Sequence, residues 1–264
     1  HNLLMIGAPG SGKTMMAHRL PTILPDLSIE NSIEVTKIYS ICGQLNQNSH
    51  VINTRPFRAP HHTTTSAALI GGGRVPKPGE ISLAHHGVLF LDEFLEFNKH
   101  SLETLRQPLE SNTVTISRIN ATYTFPANFM LIASTNPCPC GFYPDDSKCR
   151  CSSHSIKQYR HKLSGPLLDR IDIHIEIPLI PYDKLISTEG EYSRDIKARV
   201  SAATKIQEKR YQNDSIMYNS ELSPGLIEKY CDLGNEEASV LKKAFLELNL
   251  SIRSYHKIIK LART

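Results

Sequence analysis

The feature that most constrains this chain lies near its start. A short apolar run, Asn2 to Ile6, breaks into Gly7-Ala8-Pro9-Gly10-Ser11-Gly12-Lys13-Thr14 and then into a helix-forming stretch. The eight residues fit GxxxxGK[ST] in full. Such a loop needs a buried strand before it and a helix after it. The glycines let backbone N–H groups turn inward around phosphate oxygens, and the helix N-terminus adds partial positive charge. The pattern predicts a strand over Asn2 to Ile6 and a helix from Lys13 to Leu20, stopped at Pro21. Residues Gly7, Ala8, Pro9, Gly10, Ser11, Gly12, Lys13 and Thr14 become candidate nucleotide-binding residues. Lys13 would reach the β- and γ-phosphates, and the Thr14 hydroxyl would hold Mg²⁺. The alternative is a glycine-rich turn with no ligand.

Two further apolar runs read as buried strands, and both end in polar residues suited to the same chemistry. Val88 to Leu91 runs into Asp92-Glu93. Asp92 is a candidate Mg²⁺ ligand, direct or through water, and Glu93 a candidate general base for an attacking water. Phe129 to Ser134 runs into Thr135-Asn136. A polar residue at the end of a neighbouring parallel strand would sit by the γ-phosphate, so Asn136 is a candidate for orienting water. Its alternative is a turn-forming Asn before Pro137.

Arg170, in Leu167-Leu168-Asp169-Arg170-Ile171-Asp172, is a candidate arginine finger toward a neighbouring subunit. Such groups are worth roughly 10³–10⁵ in rate. It could instead pair with Asp169 or Asp172, and Arg160 is a second candidate. Arg253, near the start of the last predicted helix, could report nucleotide state or be a solvated helix charge.

Elsewhere, Val35 to Cys42 reads as a helix capped by Gly43. Arg55 to Gly79, rich in Pro, Gly, His and Thr, reads as a long inserted loop with a hairpin. Leu102, Leu105 and Leu109 form a helical stripe after Asn98, a candidate N-cap. Val114 to Ser117 and Tyr123 to Phe125 read as hairpin arms, and Ile171 to Ile177 as a strand with one wetter face. After Tyr182 the composition shifts to helix formers, with helices expected over Arg194 to Tyr211, Pro224 to Leu233, Glu236 to Leu248 and Ile252 to Ala262. The expected organisation is an α/β domain over 1–180 and a small helical lid over 181–264. The start at His1 on an apolar strand and the stop at Thr264 within a helical pattern suggest a piece of a longer chain.

The 264 residues, 40% hydrophobic, can build a sizeable core. No apolar run approaches ~18 residues, and no basic-then-apolar leader is present, so neither a membrane span nor a signal peptide is expected. A net charge of +4 allows a nucleic-acid partner without arguing for one. Six cysteines in a chain that otherwise reads as a nucleotide-binding enzyme favour a reducing compartment, with the thiols free or on metal. Four of them, Cys138, Cys140, Cys149 and Cys151, fall within fourteen residues and could close a tetrahedral Zn²⁺ site, with His154 and His161 as substitute ligands. Reduced loop thiols or artefactual disulfides are the alternatives, and Cys42 and Cys231 read as core thiols. His61-His62 and His85-His86 suit a metal poorly, because neighbours on a strand face opposite ways. Arg55, Arg58, Arg74 and Lys77 make the insert mildly basic. Arg194, Lys197, Arg199, Lys205, Lys209 and Arg210 make one helix basic, as a solvated face or as a subunit or nucleic-acid contact.

Several longer runs carry a resemblance. Pro56-Phe-Arg-Ala-Pro-His-His-Thr63, Pro78 through Glu93, Arg106-Gln-Pro-Leu-Glu110, Asn136-Pro-Cys-Pro-Cys-Gly141 and Ser164 through Asp172 resemble the magnesium-chelatase-like AAA+ family, and more narrowly its YifB/ComM branch. The resemblance covers nearly the whole chain. It implies a P-loop AAA+ core with a parallel sheet, a helical lid, ATP and Mg²⁺, and assembly into a ring, usually hexameric. It implies the finger role for Arg170 and the lid-sensor role for Arg253. It also implies a preceding Lon-protease-like domain and, for this branch, work on DNA in branch migration or natural transformation. The family's chelatase motor subunits drive Mg²⁺ insertion into a porphyrin instead; the cysteine pairs resemble the YifB/ComM branch more.

Overall fold

The computed structural model describes residues 1–45, 51–118, 121–180 and 190–264. The backbone forms two compact units, Asn2–Arg194 and Asp195–Thr264, the second also taking His1. The expected division between residues 180 and 181 abuts the undescribed stretch 181–189.

The strands of the first unit are β1 (Leu3–Gly7), β2 (Phe57–Arg58), β3 (Gly71–Gly72), β4 (Lys77–Pro78), β5 (Val88–Leu91), β6 (Thr113–Ser117), β7 (Thr122–Pro126), β8 (Met130–Thr135) and β9 (Ile173–Ile177). Five of them make the central sheet in the order β2-β5-β8-β1-β9, and every pairing in it is parallel. Strands β3 and β4 form one antiparallel hairpin, β6 and β7 another.

Alternation along the strands builds a core on each face. Leu4, Leu89, Leu91, Leu131 and Ala133 join one apolar cluster, while Met5, Val88, Phe90 and Ile132 join another with Ala17. Residues one step apart point to opposite faces, so a sheet covered on both sides demands unbroken apolar runs. Each large side chain buried this way contributes about 1.5–3 kcal/mol. The outer strand β9 alternates half-buried Ile with exposed His174 and Glu176, as its wetter pattern predicts.

Helix α1 spans Lys13–Ile23 and runs through Pro21 rather than stopping there. Proline removes one N–H, but its ring lies only two residues before the helix ends, so a single bond near the last turn is lost. Helix α2 spans Ile29–Cys42, starting earlier than expected, because Ser28 accepts from the Asn31 N–H as an N-cap. Its end is the expected one. Gly43 is left-handed, and the Gly43 and Gln44 N–H groups bond the Ser40 and Tyr39 carbonyls.

The insert is more structured than a loop. Phe57–Arg58 adds the edge strand β2 beside Val88 and Leu89, and Ser66–Ile70 forms a short helix capped by Thr65. The leucine stripe is two short helices, Lys99–Glu103 and Pro108–Ser111, because Pro108 starts a second helix. Asn98 caps the first by accepting from the His100 N–H.

In the second unit, the helix Ser193–Arg210 from Asp195 onward and helices Pro224–Tyr230, Asn235–Glu247 and Ile252–Arg263 accompany a core of Tyr211, Leu222, Ile227, Leu241 and Ile259. Ser223 and Ser251 cap two of them. Buried Asn219 pins the bundle, its side-chain oxygen accepting from Arg210 Nη1 at 2.7 Å and from the Tyr211 hydroxyl at 2.6 Å. Arg210 is thus drawn inward from the basic helix. No helix among the described residues is long and apolar enough to cross a membrane.

Candidate active site

The sheet order sets the site. Strands β5, β8 and β1 are consecutive neighbours, and their carboxyl ends carry Asp92, Asn136 and the Gly7–Thr14 loop. In open parallel sheets the crevice outside those ends is where ligands bind.

The loop has the shape its sequence predicts. Gly10 and Gly12 take φ of 76° and 88°, values that a side chain would strain. Helix α1 begins on Gly12 with no side-chain cap, so its first N–H groups stay open to an anion. The buried Ser11 hydroxyl has no hydrogen-bond partner. The buried Lys13 ammonium donates to the Gly7 carbonyl at 2.7 Å and the Ala8 carbonyl at 2.9 Å, and lies 3.4 Å from Asn136 Oδ1. Burial holds its pKa below the usual lysine range, and Asp92 partly offsets this. An orphaned hydroxyl, an uncapped helix end and a cation held only by neutral oxygens all fit a phosphate chain.

Asp92 is the hub of the second half. The Thr14 hydroxyl donates to its Oδ2 at 2.8 Å, the Glu93 N–H donates to Oδ1 at 3.0 Å, and the Ser134 hydroxyl also donates to Oδ1. Thr14 and Asp92, both expected at Mg²⁺, are therefore in direct contact. Oxygen donors of this kind suit that ion. Glu93 sits just past β5 in a left-handed conformation, with φ 51° and ψ 46°. Its exposed carboxylate lies 3.1 Å from His62 Nδ1.

Other expected residues are placed elsewhere. The Arg170 guanidinium is held within its own chain by the Glu110 carboxylate and by the Pro166 carbonyl at 2.6 Å. Neither Asp169 nor Asp172 is its partner; Asp172 accepts from the Asn2 N–H at 3.1 Å. Arg160 Nε donates to the Pro137 carbonyl at 3.2 Å and stacks its guanidinium over Tyr143. Arg253 is exposed in the first turn of the last helix, where the helix dipole favours an acid over a base.

The histidine pairs lie outside strands, and their rings sit side by side, with centroids 4.0 Å apart for His61–His62 and 3.8 Å for His85–His86. Glu34, His85 and His86 cluster closely enough for an ion. However, His85 Nδ1 accepts from the Asn128 N–H at 3.0 Å, so its Nε2 carries the proton that bonds Glu34. No His85 lone pair remains for a metal, and burial lowers its pKa to about 4. In the insert, Arg58 forks onto Glu80 at 2.6 and 2.7 Å and Arg55 donates to the His86 carbonyl. Both are engaged internally rather than offered to a phosphate backbone. The four clustered cysteines have their Sγ atoms within 4.8 Å of one another. Backbone N–H groups, Phe142 foremost, lower the Cys140 pKa to about 6.

Three contributors escaped the sequence reading. Ser134 was legible only as a polar residue within an apolar strand. His62 looked like part of a surface loop. Asn2 links the Leu131 N–H and the Arg170 carbonyl through its amide, and nothing local announces that.

The family described as "Magnesium chelatase, subunit ChlI" matches residues 1–185, and "Magnesium chelatase, subunit ChlI C-terminal" matches residues 190–264. The chain belongs to the magnesium-chelatase-like family. Within that family it matches the YifB/ComM branch. It is 46% identical over its whole length to competence protein ComM of Haemophilus influenzae and 45% identical to YifB of Escherichia coli, covering 51% of each. It is also 38% identical to Rv2897c of Mycobacterium tuberculosis over 99% of this chain and 52% of the relative. The chain thus spans about half the length of the curated relatives it matches. Magnesium-chelatase-like membership identifies the five-stranded unit as a P-loop AAA+ core, and it carries ATP and Mg²⁺ with it.

Proposed function

We propose that this chain is the ATP-hydrolysing motor core of a ring-forming protein that works on DNA. The observation that carries the first half is the convergence of Lys13, Thr14, Asp92 and Asn136 at the carboxyl edge of three adjacent parallel strands. Residues Gly7 to Thr14 wrap the phosphates, and Lys13 exchanges its loop carbonyls for β- and γ-oxygens. Thr14 and Asp92 would hold Mg²⁺, with Ser134 and the Glu93 N–H fixing the carboxylate. Held there, the ion would supply charge neutralisation to the phosphate chain. Glu93 takes the proton of the attacking water, His62 restrains its carboxylate, and Asn136 orients the water.

Arg170 is engaged with Glu110 and Pro166 here, contacts that it would exchange for the γ-phosphate of an adjacent subunit. A ring, by family usually hexameric, would bring a neighbour's Arg170 to the site, and Arg253 of the helical lid would respond to nucleotide state. We divide the chain functionally into 1–180 for hydrolysis and 181–264 for the lid. All six cysteines are unpaired, which suits the bacterial cytoplasm. The DNA track rests on the similarity to a competence protein.

ATPase assays of the full-length protein with branched, single-stranded and double-stranded DNA test this. Stimulation that weakens with salt supports the DNA reading. Stimulation only by a large chelatase-type partner protein would favour the family's other activity, metal insertion. No turnover under any condition would sink the motor reading.

A further inference from the structure

The Cys138–Cys151 segment leaves β8 at Asn136 and returns into the helix Ser153–Arg160. Two turns fold it. The Gly141 N–H bonds the Cys138 carbonyl at 3.0 Å, and the Cys149 N–H bonds the Asp145 carbonyl at 2.7 Å. On a strand, Cys138 and Cys140 would be kept about 6.5 Å apart by the pleat. The turn instead brings their sulfurs to 3.4 Å, with Cys149 Sγ 3.8 Å from the first and 3.6 Å from the second. These separations are far longer than a disulfide bond of about 2.05 Å. They match the edges of a tetrahedron: Zn–S bonds of about 2.3 Å place the corner sulfurs about 3.8 Å apart. The Tyr143 N–H points at Cys138 Sγ at 3.4 Å, as amides do toward a metal-bound thiolate. Cys138 is fully buried. Four convergent thiols of which one has no solvent describe a site for a soft tetrahedral cation.

The segment also touches the nucleotide loop. Gly141 has φ 87°, and a Cβ there would lie 2.5 Å from Pro9 Cδ and 3.8 Å from Asn136 Cγ. Arg160 closes the far side through the Pro137 carbonyl and the Tyr143 ring. The turn that holds Asn136 beside Lys13 is therefore packed between the thiol cluster and Pro9.

We propose that Cys138, Cys140, Cys149 and Cys151 bind one structural Zn²⁺ as thiolates, and that this ion holds the Asn136–Gly141 turn against the phosphate loop. Four sulfur ligands leave no open position, so the ion takes no part in hydrolysis. Its second role rests on the nucleotide reading above; its presence does not.

The test uses the full-length protein purified without added metal. Elemental analysis gives about one Zn²⁺ per chain. Growth with Co²⁺ gives protein with thiolate-to-cobalt charge-transfer and tetrahedral d–d bands. The Cys149→Ser and Cys151→Ser variants lose the zinc, while Cys231→Ser keeps it. Binding of a fluorescent ATP analogue weakens about tenfold or more in Cys149→Ser. Absence of metal, iron in place of zinc, or a cobalt spectrum lacking thiolate bands overturns the site. A zinc-free variant that binds the analogue normally overturns the coupling. If the zinc-loaded wild type binds no nucleotide, the ATP reading fails while the metal site stands.

Discussion

Replacing Ser134 with alanine isolates a contact that local sequence hides. Ser134 is fully buried, and its hydroxyl is one of three donors on Asp92. A hydrogen bond to a charged acceptor is worth about 1.5–3 kcal/mol net. Thr14 and the Glu93 N–H still hold the carboxylate in the variant, so folding should lose little and Tm should fall by only a few degrees. Occupancy of the site changes the balance. If Thr14 and Asp92 hold Mg²⁺ as proposed, the Thr14 hydroxyl would no longer be free to donate to Asp92, and Ser134 would take a larger share of fixing the carboxylate. The lower bound of about 1.5 kcal/mol then applies to Mg²⁺ affinity, or about a tenfold rise in the Mg²⁺ concentration for half-maximal ATP hydrolysis. The assay is a Mg²⁺ titration of ATPase activity at saturating ATP, with thermal unfolding measured beside it. An unchanged midpoint in a normally folded variant would refute the assignment of Asp92 as the metal's carboxylate.

Other contacts predict separable effects. Because the His85 pKa falls from about 6.5 unfolded to about 4 folded, the unfolded chain binds the extra proton. Stability from His85 is therefore full above about pH 6.5 and is lost as pH falls toward 4, by up to about 3 kcal/mol. Melting of His85→Gln, which cannot charge, should show a flatter acid limb over that window. His62→Ala should lower kcat about fivefold with ATP affinity unchanged, since a contact to a carboxylate this exposed is worth about 1 kcal/mol; a shift in affinity alone would contradict it. Arg170→Ala and Glu93→Gln proteins, each impaired alone, should recover activity when their subunits are mixed, because a Glu93→Gln subunit still donates its Arg170 to the site of an Arg170→Ala neighbour that keeps Glu93. No recovery in mixed rings would place Arg170 outside the site.

The positions of the glycine loop, the acidic strand end and Asn136 were legible because each is local: a glycine pattern, an apolar run and the residue that ends it. The four helices of the second unit were legible from helix formers bounded by Ser and Pro. Strand β2 was not, because two residues beside Pro56 carry no periodicity. Its place comes from Gly87, where a Cβ would meet the Pro56 carbonyl oxygen at 2.1 Å. The helix break at Pro108 was readable and was hidden by the leucine stripe across it. Glu110 lies sixty residues from Arg170, so no spacing rule could join them. His62 reaches Glu93 only because the insert folds back over the strand end.

The most direct test of the account is ATP turnover by the full-length Glu93→Gln protein, measured together with its affinity for Mg²⁺-ATP. Affinity should stay near that of the wild type, because Lys13, Thr14 and Asp92 are untouched. Turnover should fall by about 10²–10⁴, the usual contribution of a positioned general base. Hydrolysis at the wild-type rate would contradict the claim that this strand end performs the chemistry.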